Sequence, residues 1–203
     1  MLSRSGRPLA QALFGPIAKV FIRAGITADQ VTIAGTVLTS ALALTLIPTN
    51  HLILGPWLIL AAVIFDNLDG QIARRTGTSS AWGAFLDSTM DRIADGALFL
   101  AVGMWAWQYA DDSLRAWTLA GTALAMWLGS VVPYARARAE SIGAEANVGL
   151  AERADRLAVI LIVLFLTGLG LGQWWITAGV WLLSLGAAIT IVQRIIVVAQ
   201  QKK

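Results

Sequence analysis

The sequence predicts an all-α integral membrane protein: six transmembrane helices preceded by an N-terminal amphipathic helix at the interface. Three observations predict it. Of the 203 residues, 57% are hydrophobic and 13% charged, where a soluble domain holds roughly 45–50% and about 25%. Apolar runs approaching the roughly 20 residues that cross a bilayer recur six times along the chain. The basic residues fall between those runs in a one-sided pattern, as the positive-inside rule requires of cytoplasmic segments.

Residues 1–30 form a juxtamembrane segment. Leu9, Leu13, Ile17 and Phe21 recur every four residues while Lys19 and Arg23 lie off that stripe, the pattern of a helix lying in the interface, with Pro16 as a kink. Arg4, Arg7, Lys19 and Arg23 leave no continuous apolar stretch of the kind a signal peptide has. Residues 31–203 form a single six-helix bundle, with spans at Val31–Ile47, Leu52–Asp69, Ala84–Tyr109, Leu114–Tyr134, Leu157–Leu171 and Trp174–Val198. The third is long and the fifth short, so a tilted or uneven bundle is expected. The longest polar stretch, Ala135–Asp155, has Gly143 and Gly149 as flexible points.

Six spans put every one of the 15 Lys and Arg residues on one side, except Arg115 on the other and Arg92 within a span. Both termini are therefore expected in the cytoplasm of a multi-pass cell-membrane protein. The opposite side carries Asn50, His51, Asp111, Asp112 and Gln173, and most of the nine tryptophans: Trp57, Trp105, Trp107, Trp117, Trp174, Trp175 and Trp181, an aromatic belt at the outer interface. His51 lies in that outer loop and is read as incidental. The absence of cysteine excludes disulfides, thiolate metal ligands and a Cys nucleophile. Membrane lipid is the expected surrounding, and no nucleic-acid partner is expected.

Of the twelve acidic residues, Asp66, Asp69, Asp87, Asp91 and Asp95 lie in or at the ends of apolar segments. Charge inside a membrane protein is costly, so such residues are functional candidates. Asp66 and Asp69 stand at i, i+3 at the cytoplasmic end of the second span, and Asp87 and Asp91 at i, i+4 at the start of the third. A short link joins the two helices, so the pairs meet at one depth. Four carboxylates there repel unless cations lie between them. Oxygen-only ligands suit Mg²⁺ or Mn²⁺, and two such ions clamp a phosphoryl transfer. Gly70 leaves room for a ligand, Ala73 keeps that face shallow, Arg74 is placed to meet a phosphate, and Gly83 thins the facing helix. Spacing alone leaves three readings open: metal-assisted chemistry, a proton- or ion-translocating site, and a polar network neutralised by Arg74, Arg75 and Arg92.

The segment reads Asp66-x2-Asp69-Gly70-x2-Ala73-Arg74-x8-Gly83-x3-Asp87-x3-Asp91, eight fixed identities over 26 positions. It resembles, without a departure, the signature of the CDP-alcohol phosphotransferase family. The resemblance implies a six-helix membrane enzyme, in a homodimer, with its active site open to the cytoplasm. Such an enzyme transfers a phosphatidyl or similar group from a CDP-linked donor to an alcohol and releases CMP. By the same resemblance Asp66, Asp69 and Asp87 bind one metal ion and Asp66, Asp87 and Asp91 a second. Asp91 also takes the proton of the attacking hydroxyl. Asp69, Gly70, Ala73 and Arg74 line the nucleotide and its phosphates, and Asp29, Thr32 and Ser80 contact the cytidine nucleotide. For Asp29 and Thr32, capping of the first span is an equal reading.

A second, basic cluster follows. Arg136 and Arg138 close the fourth span, Arg153 and Arg156 open the fifth at i, i+3, and Arg194 lies near the end of the sixth. As loop charges they satisfy the positive-inside rule. Three helices delivering Arg to one level also suit an anion pocket, because the planar guanidinium forks onto phosphate. The order Tyr134-Ala135-Arg136-Ala137-Arg138-Ala139-Glu140, then Glu152-Arg153-Ala154-Asp155-Arg156, then Gln193-Arg194, resembles the bacterial branch of the family that joins CDP-diacylglycerol to inositol phosphate. On that resemblance Arg136, Arg138, Arg153 and Arg194 hold the acceptor's phosphate. Arg156 is open to a local pair with Glu152, and Asp95 to holding Arg92 or a helix contact. The alternatives are a phosphatidylglycerophosphate synthase, another family transferase, and an ion-coupled transporter. A catalytically dead relative is disfavoured, since every motif position is intact.

Overall fold

The computed structural model describes residues 7–66, 68–150 and 153–202, with side chains described from Gly15 onward. Eight helices follow in order: α1 Arg7–Arg23, α2 Ala28–Leu46, α3 Leu54–Asp66, α4 Leu68–Thr76, α5 Ala81–Tyr109, α6 Asp112–Ser141, α7 Arg153–Gly168 and α8 Trp174–Gln201. No strand occurs among the described residues. Three helices, α2, α6 and α8, are long and apolar enough to cross a membrane. The other predicted spans fall short of that standard among the described residues for separate reasons. The described part of α3 is 13 residues and α7 is 16, while the 29 residues of α5 carry Asp87, Asp91, Arg92 and Asp95 in their first half. Large apolar side chains lie on the surface of the helices, among them Val37 on α2, Leu100 on α5, and Leu182 and Ile195 on α8. Such a surface suits lipid, which is no less apolar than the side chains it meets.

The helices form two compact units: residues 1–41 with 58–94, and residues 42–57 with 95–203. In the first, α1 lies against α4. Ala18, Val31, Leu68 and Ile72 form a buried cluster on which Ile17, Phe21, Ile22, Ile26 and Ala28 pack. The stripe predicted for α1 thus faces protein at Ile17 and Phe21; Leu9 and Leu13 lie outside the described side chains. Arg75 of α4 donates Nη1 to the carbonyl of Gly15 at 2.9 Å. A Cβ at position 15 would come within 2.8 Å of the guanidinium, so the smallest residue sits where α1 meets that side chain.

The second unit is built on α6 against α8, with α7 beside α8. Small residues let these helices approach. A Cβ on Gly121 would lie 2.7 Å from Val180, and one on Gly179 would lie 2.9 Å from Val163. Hydroxyls bridge the same contact, with Thr118 and Thr177 paired at 2.7 Å and Ser184 donating to the Gly121 carbonyl at 3.1 Å. Close approach and hydroxyl bridges are how helices associate where water cannot drive them together. Trp57, Trp107, Trp117, Trp174 and Trp181 are at least a third exposed, whereas Trp105 is buried. The indole of Trp105 donates to Asn50 Oδ1 at 2.8 Å, so it is a core residue and not part of the aromatic belt.

The polar stretch Ala135–Asp155 is helical at both of its ends. α6 runs on to Ser141 and α7 begins at Arg153. Between them, Glu145, Val148 and Leu150 are strapped to α8 by side chain–backbone bonds. Glu145 and Gln201 exchange two at 2.8 and 2.7 Å, the Leu150 N–H donates to Thr190 at 3.1 Å, and Arg194 donates to the Val148 carbonyl at 3.0 Å.

Candidate active site

The first unit holds the acidic motif. α3 ends on Asp66 and α4 starts at Leu68, with Asn67 outside the described residues. Asp69 therefore sits in the first turn of α4, where helix N-termini favour negative charge. Its Oδ2 accepts from the Thr32 hydroxyl at 2.6 Å, and its Oδ1 accepts from the N–H of Gly70. Asp87 and Asp91 stand one turn apart on α5. Asp91 is largely buried, with Oδ2 3.8 Å from Arg92 Nη2. Asp66 is buried at the end of α3.

Two of these residues, Asp69 and Asp87, border a cleft of about 300 Å³. Asp29, Thr32, Asp69, Gly70, Ala73, Arg74 and Ser80, all seven residues that the resemblance assigns to the donor, line it, and so do Gly83 and Asp87. Asp66 and Asp91 are not among the lining residues. The local reasons are legible. α4 ends at Thr76 with Gly77 at φ 70°, and the Thr78 N–H bonds the Ala73 carbonyl, a Schellman turn that folds Thr78 and Ser79 back over the cleft. The Ser80 hydroxyl accepts from the Gly83 N–H at 3.1 Å and starts α5. A Cβ on Gly83 would approach Asp29 Oδ1 only to 4.0 Å, so glycine there keeps open space in the cleft rather than relieving a clash.

The capping alternative for Asp29 and Thr32 is answered by their neighbours. The Gln30 N–H donates to the Thr27 hydroxyl at 3.2 Å, and the Thr27 N–H donates to Gln30 Oε1 at 3.0 Å. This is a reciprocal capping box. Asp29 is left to accept from the Trp82 indole at 2.9 Å. Thr32, with one proton to donate, lies 3.1 Å from the Ala28 carbonyl besides its contact with Asp69.

Gly35 is a site residue that sequence reasoning missed. A Cβ there would overlap the Asp66 carboxylate, passing 2.8 Å from its Cγ. Only glycine leaves the recess in which that carboxylate sits. The signal in the sequence is a stripe of small residues, Thr32, Gly35, Thr36 and Thr39, on one face of an apolar helix; its threonines are all buried. Thr78 and Ser79 were missed because hydroxyls in a polar link carry no periodic signal.

The donor chemistry of the site fits a hard divalent cation: four carboxylates without nitrogen or sulfur. With the side chains as they stand, no three acidic or imidazole groups among the described residues form a complete metal shell. As they stand, Asp69 accepts from Thr32 at 2.6 Å and Asp91 lies 3.8 Å from Arg92.

The predicted acceptor arginines lie in the second unit. Arg136 Nε pairs with Glu140 at 2.8 Å on the exposed end of α6, and Arg138 donates to Ser141 at 3.3 Å. Arg194 is buried on α8 and donates to the carbonyls of Val132 and Val148. Arg153 opens α7 with Nε 3.6 Å from Asp95 Oδ1. Arg156 is buried and bonds Asp95 and the Gly129 carbonyl; Glu152 lies outside the described residues. Asp95 thus makes the helix contact left open for it, with α7. The same unit holds a larger cavity, about 530 Å³, lined in part by His51, Trp105 and Gln173, with no acidic residue in its wall.

A family model for CDP-alcohol phosphatidyltransferase matches residues 25–192. A phosphatidylinositol phosphate synthase of Cutibacterium acnes is 40% identical over 193 residues, covering 92% of each chain. One of Corynebacterium glutamicum is 40% identical over 196 residues, covering 97% of this chain and 88% of the relative. Among solved structures, the Mycobacterium tuberculosis phosphatidylinositol phosphate synthase with CDP-DAG bound matches with a TM-score of 0.84 at 36% identity, over 90% of this chain and 92% of that one. The same enzyme in complex with manganese and citrate matches with a TM-score of 0.85 at 36% identity, over 91% and 88%. The chain belongs to the CDP-alcohol phosphatidyltransferase family and is a membrane transferase of phospholipid synthesis.

Proposed function

We propose that the chain is a phosphatidylinositol phosphate synthase, transferring the phosphatidyl group of CDP-diacylglycerol to a myo-inositol phosphate with release of CMP. The observation that carries this reading is the single cleft lined by all seven residues assigned to the donor. Relatives of that name, about as long as this chain and 40% identical to it, support the acceptor. The membrane arrangement proposed with it is six spans behind an interfacial α1, both termini and the cleft on the cytoplasmic side, and a homodimer.

Asp66, Asp69, Asp87 and Asp91 would hold two divalent ions per site, Mg²⁺ or Mn²⁺, which when bound neutralise charge on the donor's pyrophosphate. Arg74, in the cleft wall, offers its guanidinium to the same phosphates. Asp29 and Thr32 orient the nucleotide from α2, and Gly70, Ala73 and Gly83 keep the walls low enough for it to enter. The acceptor hydroxyl attacks the phosphorus that carries the diacylglycerol. The bond from that phosphorus to the phosphate oxygen of CMP breaks, CMP leaves with the electron pair, and the hydroxyl proton passes to Asp91. Arg136, Arg138, Arg153 and Arg194 recognise the phosphate already on the acceptor.

Purified protein in detergent, given CDP-diacylglycerol and Mg²⁺, should release CMP with myo-inositol 1-phosphate (the 3-phosphate in the other numbering sense) and not with free inositol or glycerol 3-phosphate. Release with glycerol 3-phosphate alone would move the assignment to phosphatidylglycerophosphate synthesis. No release with any acceptor would return the transporter and the dead relative to consideration. Arg153→Ala should raise the acceptor KM about tenfold or more, as expected for one charge-assisted contact, with the donor KM little changed. An unchanged acceptor KM would remove Arg153 from the pocket.

A further inference from the structure

Pro133 lies inside α6. It has no N–H, so the carbonyl of Gly129 one turn earlier lacks its helical donor. Arg156 supplies one. Its Nη1 donates to the Gly129 carbonyl at 2.8 Å, while Nη2 pairs with Asp95 Oδ2. Arg156 is 3% exposed, and both terminal nitrogens of this buried cation have an acceptor, which offsets part of the cost of burying its charge. The other oxygen of Asp95, Oδ1, lies 3.6 Å from Arg153 Nε. One carboxylate on α5 therefore hydrogen-bonds Arg156 and forms a looser ion pair with Arg153, both in the first turn of α7, and through Arg156 it reaches the proline-opened turn of α6. The α6 segment beyond that turn carries Arg136 and Arg138.

Here the buried Arg156 anchors the carboxylate from one side, and that leaves its second oxygen to orient the more exposed Arg153. We propose that Asp95 is a positioning residue for the acceptor: it holds the Arg153 guanidinium in the orientation that meets the acceptor's phosphate, with Arg156 and the Gly129 carbonyl as its fixed support. This rests on the acceptor site proposed above.

The test compares wild type, Asp95→Asn, Arg153→Ala and the double variant as purified full-length protein, with CMP release followed against each substrate. Asp95→Asn should raise the acceptor KM about tenfold or more while the donor KM stays within about twofold, the size of effect expected from one charge-assisted contact. The double variant should be no worse than Arg153→Ala alone, because Asp95 acts through Arg153. An unchanged acceptor KM, an equal rise in both KM values, or additive effects in the double variant would each overturn the proposal. If Asp95→Asn does not purify folded, Asp95→Glu keeps the charge and alters its reach. A rise in the acceptor KM alone then supports the proposal, and an unchanged ratio of the two KM values overturns it. The comparison is run on whichever phosphorylated acceptor the wild type uses. Wild-type failure with inositol phosphate therefore sinks only that acceptor's assignment, and failure with every acceptor sinks both.

Discussion

Asp87→Asn and Asp91→Asn should each cut CMP release by about 10²–10⁴-fold, the range for loss of a general base or a comparable catalytic group. The expectation comes from where the two residues stand. Asp87 lines the donor cleft, and Asp91 sits one turn deeper on α5, largely buried beside Arg92. Asparagine keeps the shape of each side chain but removes the charge that would hold a cation, and at position 91 it also removes the proton acceptor. Both positions lie well inside a 29-residue helix, so the fold has no reason to fail. Activity and thermal unfolding should be measured together. Full turnover in either variant would refute the two-metal reading, and loss of activity with an unchanged melting temperature supports it.

Gly35→Ala should lower turnover by about 10²-fold, the cost of misplacing a reacting constellation by about 1 Å. The added Cβ overlaps the Asp66 carboxylate, which must move. The stability effect is smaller and mixed. Alanine gains roughly 0.5–1 kcal/mol over glycine in a helix interior, while overpacking costs about 1–3 kcal/mol. The measurement is CMP release across a Mg²⁺ titration. A higher Mg²⁺ requirement at similar melting temperature would place Asp66 among the metal ligands. Wild-type rates at wild-type Mg²⁺ would separate Asp66 from the metal site.

The motif Asp66 to Asp91 was legible because its chemistry is written in residue type and spacing. Carboxylates are rare in apolar helices, and glycines and alanines among them mark where a ligand needs room. Asp29 and Thr32 were half legible. Their place at a helix start admitted capping, and only the Thr27–Gln30 box, itself a readable T-x-x-Q, assigns the cap elsewhere. Gly35 was not legible as a site residue, since its meaning depends on which side chain of another helix faces it. Trp105 misled in the same way: it read as a belt residue and is buried against Asn50.

Composition, hydropathy and the spacing of ionisable residues by themselves determined the helical membrane class and marked the acidic cluster, and the cluster's likeness to a known signature pointed to the family. The class and the cluster follow from local rules: the length of an apolar run, the side on which basic residues lie, and the cost of a carboxylate among apolar neighbours. The tertiary structure alone decided which partners the polar groups take. That Asp95 binds Arg156, that Arg156 completes the turn opened by Pro133, and that the chain after Ser141 is strapped to α8 are contacts between residues up to 61 positions apart. A guanidinium or carboxylate fits many partners equally well in the abstract, and it is packing, by bringing one of them within 3 Å, that selects it.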